Sequence, residues 1–216
     1  MNCNIIYGLV HSCFNSDIFS ELRHLINGHT FPLNAQHLRG FFPQFNNNIQ
    51  QDAAEFLEIV IDSCLPLRNL CTYQIITNMI CEECGLNSQL GIYNHETWIF
   101  LRESITGETI DQILQNNRFA TITKQCSSGT CMEKNTTHNK KETIFNSSDI
   151  LLIAVNRFNE QQMKLLNKIH PNNQIEIDNT LYELGSIITH EGDYIGSGHY
   201  YAELKYTNDQ WIRCND

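Results

Sequence analysis

Gly196-Ser197-Gly198-His199-Tyr200-Tyr201-Ala202-Glu203-Leu204, followed by Trp211-Ile212-Arg213-Cys214-Asn215-Asp216, is the stretch that decides how this chain is read. The glycines let the backbone turn sharply and deliver a histidine onto the start of a strand. Tyr200, Ala202 and Leu204 alternate with more polar positions, which predicts a half-buried strand. A turn at Thr207-Asn208-Asp209 would let Gln210 to Cys214 pair back antiparallel and bring Asn215 to His199. An imidazole held by an amide oxygen is the base-and-orienter half of a Cys-His-Asn arrangement. A histidine merely satisfied at a hairpin mouth would have the same spacing.

Upstream of this hairpin, Tyr182 to Thr189 reads as a strand and residues 159 to 175 as a polar surface loop. Asp149 to Phe158 is nearly continuous in apolar residues, as expected of a strand buried on both faces. Further back, Tyr73 to Ile80 and Gly91 to Leu101 are β-prone, and Thr109 to Leu114 suits a short helix. The N-terminal third is helical in pattern: a stripe at Ile6, Leu9, Val10, Cys13 and Phe14, then Asp17 to Ile26 stopping at Asn27-Gly28. The clearest helix carries Ala53, Phe56, Leu57, Val60, Ile61 and Cys64 and runs until Pro66, with Asn48-x-x-Gln51 as a capping-box-like start. Helices first and strands later predict an α+β fold, and 216 residues without repeats predict a single domain over 1–216.

Lys and Arg number 14 against 24 Asp and Glu, a formal charge of −10. That balance argues against nucleic acid or an anionic membrane as partner and favours a neutral or basic one. No leader pattern and no apolar run of membrane-spanning length is present, so the expectation is a soluble, intracellular protein, cytoplasmic or nuclear. In a reducing compartment, Cys81-x2-Cys84 and Cys126-x4-Cys131 suggest one tetrahedral zinc site rather than disulfides. Gly85 and Gly129 suit the tight turns such pairs need, and free thiols are the alternative.

Together these pieces resemble the ubiquitin-specific protease family. Gln50-Gln51-Asp52-Ala53-Ala54-Glu55-Phe56-Leu57 is similar to its Gln-Gln-Asp-Ala-x-Glu-Phe-Leu box. The paired cysteines sit where its fingers bind zinc, and Leu151-x3-Val155-x-Arg157-Phe158 resembles its Leu-x3-Leu-x-Arg-Phe strand. Tyr182-x-Leu184-x2-Ile187-Ile188-x-His190-x-Gly192, then Gly198-His199-Tyr200 and Trp211-x3-Asn215-Asp216, match its histidine box. The resemblance implies a papain-like thumb-palm-fingers deubiquitinase fold: a helical thumb over about 1–70, zinc-bearing fingers and palm over 71–148, and a β-rich palm with the histidine box over 149–216. It also implies ubiquitin or a ubiquitin-like protein as partner, with Gln51, Asp52, Gly198 and Tyr200 at the substrate. His199 would be general base and Asn215 its orienter. Cys81, Cys84, Cys126 and Cys131 would hold structural zinc.

The nucleophile has two registers. The family's cysteine opens its first helix, with apolar residues at +2, +5, +6, +9 and +10. Aligning that stripe with Ile6, Leu9, Val10, Cys13 and Phe14 places Asn4 at the nucleophile position, whereas Cys3 is the neighbouring thiol. One residue rotates a helical side chain by about 100°. The family's upstream oxyanion-stabilising Asn and its closing strands have no counterpart, so the expectation is a shortened or fragmentary member, truncated at both ends. Two functions follow: a thiol isopeptidase using Cys3, His199 and Asn215, or a catalytically dead ubiquitin-binding adaptor.

Overall fold

The computed structural model describes residues 42–45, 51–101, 109–165, 168–194, 196–207 and 210–215. The helices expected over 5–14 and 17–26, with Cys3 and Asn4, lie outside the described residues. The chain divides into two compact units. One comprises Leu70–Asn159 and Leu165–Leu184; the other comprises Met1–Asn69, Glu160–Lys164 and Gly185–Asp216.

The unit built on Leu70–Asn159 is mainly β. Strands β1 (Tyr73–Cys81), β2 (Asn87–Glu96), β4 (Phe119–Gln125) and β5 (Asn135–Asn146) form an antiparallel sheet in the order β2-β1-β5-β4. β3 (Trp98–Leu101) and β6 (Leu152–Val155) pair in parallel, and β7 (Gln174–Ile177) and β8 (Thr180–Glu183) form a hairpin. Its two turn residues, Asp178 and Asn179, have φ of 48° and 67°, the left-handed region that Asp and Asn tolerate best after glycine. A helix over Ile110–Asn117 packs its Ile113 and Leu114 with Tyr73, Leu101, Ile144 and Ile177 into the unit's core. It starts on a capping box in which Thr109 and Gln112 satisfy each other's backbone N–H groups. Arg118, directly after that helix, donates to the Glu142 carbonyl at 3.0 Å and pairs with the Asp178 carboxylate, which also accepts the Ile144 N–H at 2.5 Å.

Two expectations change here, and two strands appear where none was expected. β6 is half-buried throughout rather than covered on both faces, because its only strand neighbour among the described residues is the short β3. The stretch 182–189 is two strands, broken around Leu184-Gly185. β4 and β5 carry Lys, Asn and Thr in place of an apolar alternation, and their pattern did not predict strands.

In the other unit, helix α1 (Ala53–Asp62) begins at Asp52, whose Oδ1 accepts the N–H groups of Ala54 at 2.7 Å and Glu55 at 3.2 Å. This carboxylate, not Asn48, is the cap, since the helix starts one residue after it. Phe56 makes edge-to-face contacts with Phe42 and Phe45, ring centroids 5.5 and 5.1 Å apart, and Val60 joins them in a small core. Ser63 ends the helix, and a second one, α2, over Leu65–Cys71, carries the chain across the boundary at Leu70. Pro66 falls in its first turn, where a missing N–H removes no helical bond, so it opens a helix as well as closing the one before.

Strands β9 (Ser186–Tyr194), β10 (Ser197–Thr207) and β11 (Gln210–Cys214) form an antiparallel sheet in the order β11-β10-β9. Two glycines set its closest approach. Gly198 has φ of +151°, and a Cβ there would lie 2.4 Å from the Glu191 carbonyl oxygen and 2.5 Å from His190 Nε2. Gly192, at φ +147°, would put a Cβ 2.7 Å from the Ser197 carbonyl oxygen. Gly198→Ala should therefore cost stability on the order of 1–3 kcal/mol, the range for a residue forced into glycine-only backbone space. Gly196→Ala, whose Cβ would meet open space, should cost far less. Thermal midpoints check this, and equal midpoints for the two variants would show that the strands are not held this closely.

Candidate active site and candidate metal centre

At the metal centre, Cys81 ends β1 and Cys84 follows in a turn closed by Gly85 N–H to the Cys81 carbonyl at 2.9 Å and Cys81 N–H to the Leu86 carbonyl at 3.0 Å. Gly85 sits at φ +70°, the left-handed step that turns the chain back into β2. The second pair leaves β4 at Cys126 and returns through a single 3-10 turn ending at Cys131, followed by Met132 and Glu133 at φ 50° and 58°. That turn absorbs the longer spacing. Cys126 N–H bonds the Lys134 carbonyl and Lys134 N–H bonds the Cys131 carbonyl, both at 3.0 Å, and Ser128 N–H reaches Cys126 Sγ at 3.4 Å.

The four Sγ atoms lie within 4.8 Å of one another, Cys81 to Cys131 at 3.8 Å and Cys84 to Cys126 at 3.7 Å. A disulfide would need about 2.05 Å. A tetrahedron with metal–sulfur bonds of about 2.3 Å has edges of about 3.8 Å, so these separations suit four ligands around one ion. The Thr136 hydroxyl and then the Cys84 N–H lower the Cys81 thiol to about 6, and the Leu86 N–H lowers Cys84. Burial raises Cys131. Cys126 also ends above its ordinary value, although the Ser128 N–H, its largest single influence, pulls the other way. Four closely spaced cysteine sulfurs are a soft donor set that fits a bound metal ion.

The second site is on the β9-β10-β11 sheet. β10 pairs β11 with Ala202 opposite Cys214, so the same register brings Asn215 opposite Tyr201, one same-face step from His199. His199 Nε2 and Asn215 Oδ1 are 2.5 Å apart. An amide oxygen only accepts, so Nε2 carries the proton and Nδ1 carries the lone pair. On the same face Arg213 lies over the Tyr201 ring, 3.8 Å from its centroid, and 3.8 Å from Glu191 across the sheet. The ion pair is solvent-exposed and contributes little; the ring contact fixes the β10–β11 pair beside Asn215.

On the opposite face, Tyr200 meets the His190 ring edge-to-face, centroids 4.8 Å apart. Burial raises the Tyr200 phenol and the charge of Asp52 raises it further. Burial lowers the His190 imidazole, assisted by Lys164 and opposed by Asp52. The Lys164 ammonium donates to the His190 carbonyl, and its N–H bonds the Asp193 carbonyl at 2.9 Å. Asp52, Tyr200 and His190 thus form one cluster, while His199 and Asn215 stand on the other face of the strand. Gln51 is half-buried beside Asp52. Gly198 admits the Glu191 backbone and the His190 ring.

A family model described as ubiquitin carboxyl-terminal hydrolase matches residues 11–216. The chain belongs to that family. It is 27% identical over 219 residues to Ubiquitin carboxyl-terminal hydrolase 25 of Arabidopsis thaliana, covering 83% of this chain and 32% of the relative. The chain thus spans about a third of the length of that relative. A chain of the SAGA DUB module Ubp8/Sgf11/Sus1/Sgf73 bound to monoubiquitin has a similar fold, with a TM-score of 0.75 at 20% identity. That match covers 94% of this chain and 53% of the other. The fold is the α+β, papain-like thumb-palm-fingers architecture of the ubiquitin-specific proteases. Among the described residues, no helix is long and apolar enough to cross a membrane.

The family match contains His199, Asn215, Asp52 and all four metal-centre cysteines; it begins after Cys3 and Asn4. Thr136, His138 and Lys164 were missed by sequence reading. The signal for the first two was their alternate placement, beginning five residues after the second cysteine pair. Asp52→Ala removes the cap of α1 and should destabilise the protein by about 1 kcal/mol, whereas Asp52→Asn, which retains a capping oxygen, should cost only a few tenths. Chemical denaturation distinguishes these outcomes. Equal losses would mean that the carboxylate charge, not the cap, matters.

Proposed function

We propose that this chain is a deubiquitinase-type domain that binds ubiquitin, or a ubiquitin-like protein, and hydrolyses the (iso)peptide bond after its C-terminal glycine by Cys-His-Asn thiol chemistry. The observation that carries this reading is the hydrogen bond of His199 Nε2 to Asn215 Oδ1, which leaves Nδ1 as the basic nitrogen. With Cys3 as nucleophile, Nδ1 would take the thiol proton as sulfur attacks the glycine carbonyl, then give it to the departing amine. Water, deprotonated by the same nitrogen, would cleave the thioester and restore the thiol. Asn215 holds the ring in the required tautomer and steadies the imidazolium between the two transfers. Asp52 with Tyr200 supplies a carboxylate and a phenol for an extended, basic peptide tail, and the acidic chain favours such a partner.

A specific observation favours a second reading, that of a ubiquitin-binding adaptor without turnover. The apolar stripe Ile6, Leu9, Val10, Cys13, Phe14 puts Asn4 at the nucleophile position, and an amide cannot form an acyl-enzyme. A ubiquitin derivative with a C-terminal electrophile separates the two. An adduct on Cys3, lost in Cys3→Ser, establishes the isopeptidase. No adduct on the wild type, with retained ubiquitin binding and an adduct gained in Asn4→Cys, establishes the adaptor. A protein that neither reacts with nor binds ubiquitin refutes both.

The metal we assign to Cys81, Cys84, Cys126 and Cys131 is zinc. Four thiolates in tetrahedral spacing are a soft donor set that closes a structural site and leaves no open position for chemistry. The ion would tie the β1–β2 turn to the β4–β5 turn and take no part in hydrolysis. Purified protein should contain one zinc per chain. Cys131→Ser should lose most of it, and acidification should release it as the thiolates take up protons. Unchanged zinc content in Cys131→Ser would place the ion elsewhere.

A further inference from the structure

Behind the four cysteines lies a buried polar pair that the metal-ligand pattern does not use. Thr136 and His138 sit two apart on β5, on the face turned inward, and are 2% and 1% exposed. Thr136 Oγ1 is 3.3 Å from Cys81 Sγ and 3.0 Å from His138 Nε2. His138 stands directly opposite Cys81 in the β1–β5 register. Its other nitrogen, Nδ1, is buried with no hydrogen-bond partner among the described residues. An imidazole that leaves one nitrogen unsatisfied in a dry interior costs stability that an apolar ring would not.

The hydroxyl has a single proton, and this orders the chain of bonds. If Thr136 donates to His138, Cys81 receives nothing. A metal-bound thiolate is an acceptor, so with the ion in place Thr136 must donate to Cys81. His138 must then donate from Nε2 to the Thr136 oxygen, with the lone pair on the buried Nδ1. Each donor is strengthened by the one behind it, and negative charge on the Cys81 sulfur is stabilised without a charged neighbour.

We propose that Thr136 and His138 are positioning residues for the metal centre, a two-step hydrogen-bond relay through Cys81 that sets how tightly the four cysteines hold their ion. This rests on the zinc reading above. Outer-shell partners of this kind are worth about 10–100-fold in metal affinity. His138 acts only through Thr136, which distinguishes the relay from a histidine that merely fills space.

The test is zinc competition against a chromophoric chelator at fixed pH, on the full chain, with thermal midpoints of the zinc-loaded proteins as the folding control. Thr136→Val should weaken zinc binding by about 10-fold or more, and Thr136→Ser should restore it. His138→Phe, which preserves the ring's shape, should also weaken it, and His138→Gln, which keeps a donor near Nε2, should recover much of the loss. In the Thr136→Val background, His138→Phe should add nothing. Nitrogen-15 shifts should place the His138 proton on Nε2 in the loaded protein. Affinity unchanged in Thr136→Val, a His138 effect that adds in full to the Thr136 effect, or a proton on Nδ1 overturns the relay while the zinc site stands. If Thr136→Val does not fold, His138→Phe against His138→Gln decides, and equal affinities overturn it. A wild-type protein that binds no zinc removes the metal reading and the relay together.

Discussion

The approach of β9 to β10 at Gly192 and Gly198 is the constraint on which the candidate active site depends. Where a Cβ would come within 2.4 Å of a carbonyl oxygen, only hydrogen fits, so the two strands approach each other as a side chain at Gly198 would not allow. His199 follows Gly198 directly, so its backbone position depends on that approach. The register with β11 then brings Asn215 within one same-face step, and a single hydrogen bond fixes the ring's orientation. The chain in effect uses two absent side chains to place a present one.

A carboxylate governs the other face of the same strand. Asp52 caps α1 with one oxygen: among the described residues, both of its backbone bonds go to Oδ1. The helix is thereby started, and a negative charge is set beside Tyr200 and His190. The opposing charges around His190 have a simple consequence. Lys164 and burial favour the neutral ring and Asp52 favours the charged one, and the first pair prevails. A neutral ring is the form that can lie against Tyr200 and the Gly198 backbone without carrying charge into an apolar contact.

Much of this was readable from residue order because it rests on local rules. Gly-Ser-Gly-His before an alternating run, cysteine pairs separated by two and four residues with a glycine after or within them, and apolar residues at helical spacing each specify geometry over a few residues. What escaped the sequence depended on partners far along the chain. β5 is a strand although Thr137, Asn139, Lys140 and Lys141 give it no apolar alternation; a sheet exposed along much of one face needs none, and β5 is held by its ladder with β1 and β4 by its ladder with β5. β6 looked like a strand covered on both sides, but an apolar run records only the demand for burial, not the number of neighbours that meet it. Pro66 was read as a stop because it ends one helix, and it equally suits the first turn of the next. Asn48 and Asp52 both have caps' chemistry. Which one is used was decided by where the apolar face of α1 had to begin for Phe56 to reach Phe42 and Phe45.

The candidate metal centre would follow the same logic of charge held by fixed donors. Four thiolates would carry more negative charge than one divalent ion neutralises, so the surplus would be spread over N–H and O–H groups around the sulfurs. Backbone N–H groups of the two turns serve Cys81, Cys84 and Cys126. Those donors come with the turn geometry and cannot be varied by changing a side chain. Cys81 has a further partner: it ends a strand, lies 1% exposed against β5, and is 3.3 Å from the Thr136 hydroxyl. Because β5 alternates, the next inward residue after Thr136 is His138, and no other side chain on that strand stands directly opposite Cys81 in the β1–β5 register. The strand that carries no apolar signature therefore carries a polar one. At the Thr136 end that alternation is written in hydroxyl and imidazole because the surface it faces there is a cluster of sulfurs; at the other end of the same face Ile144 enters the hydrocarbon core.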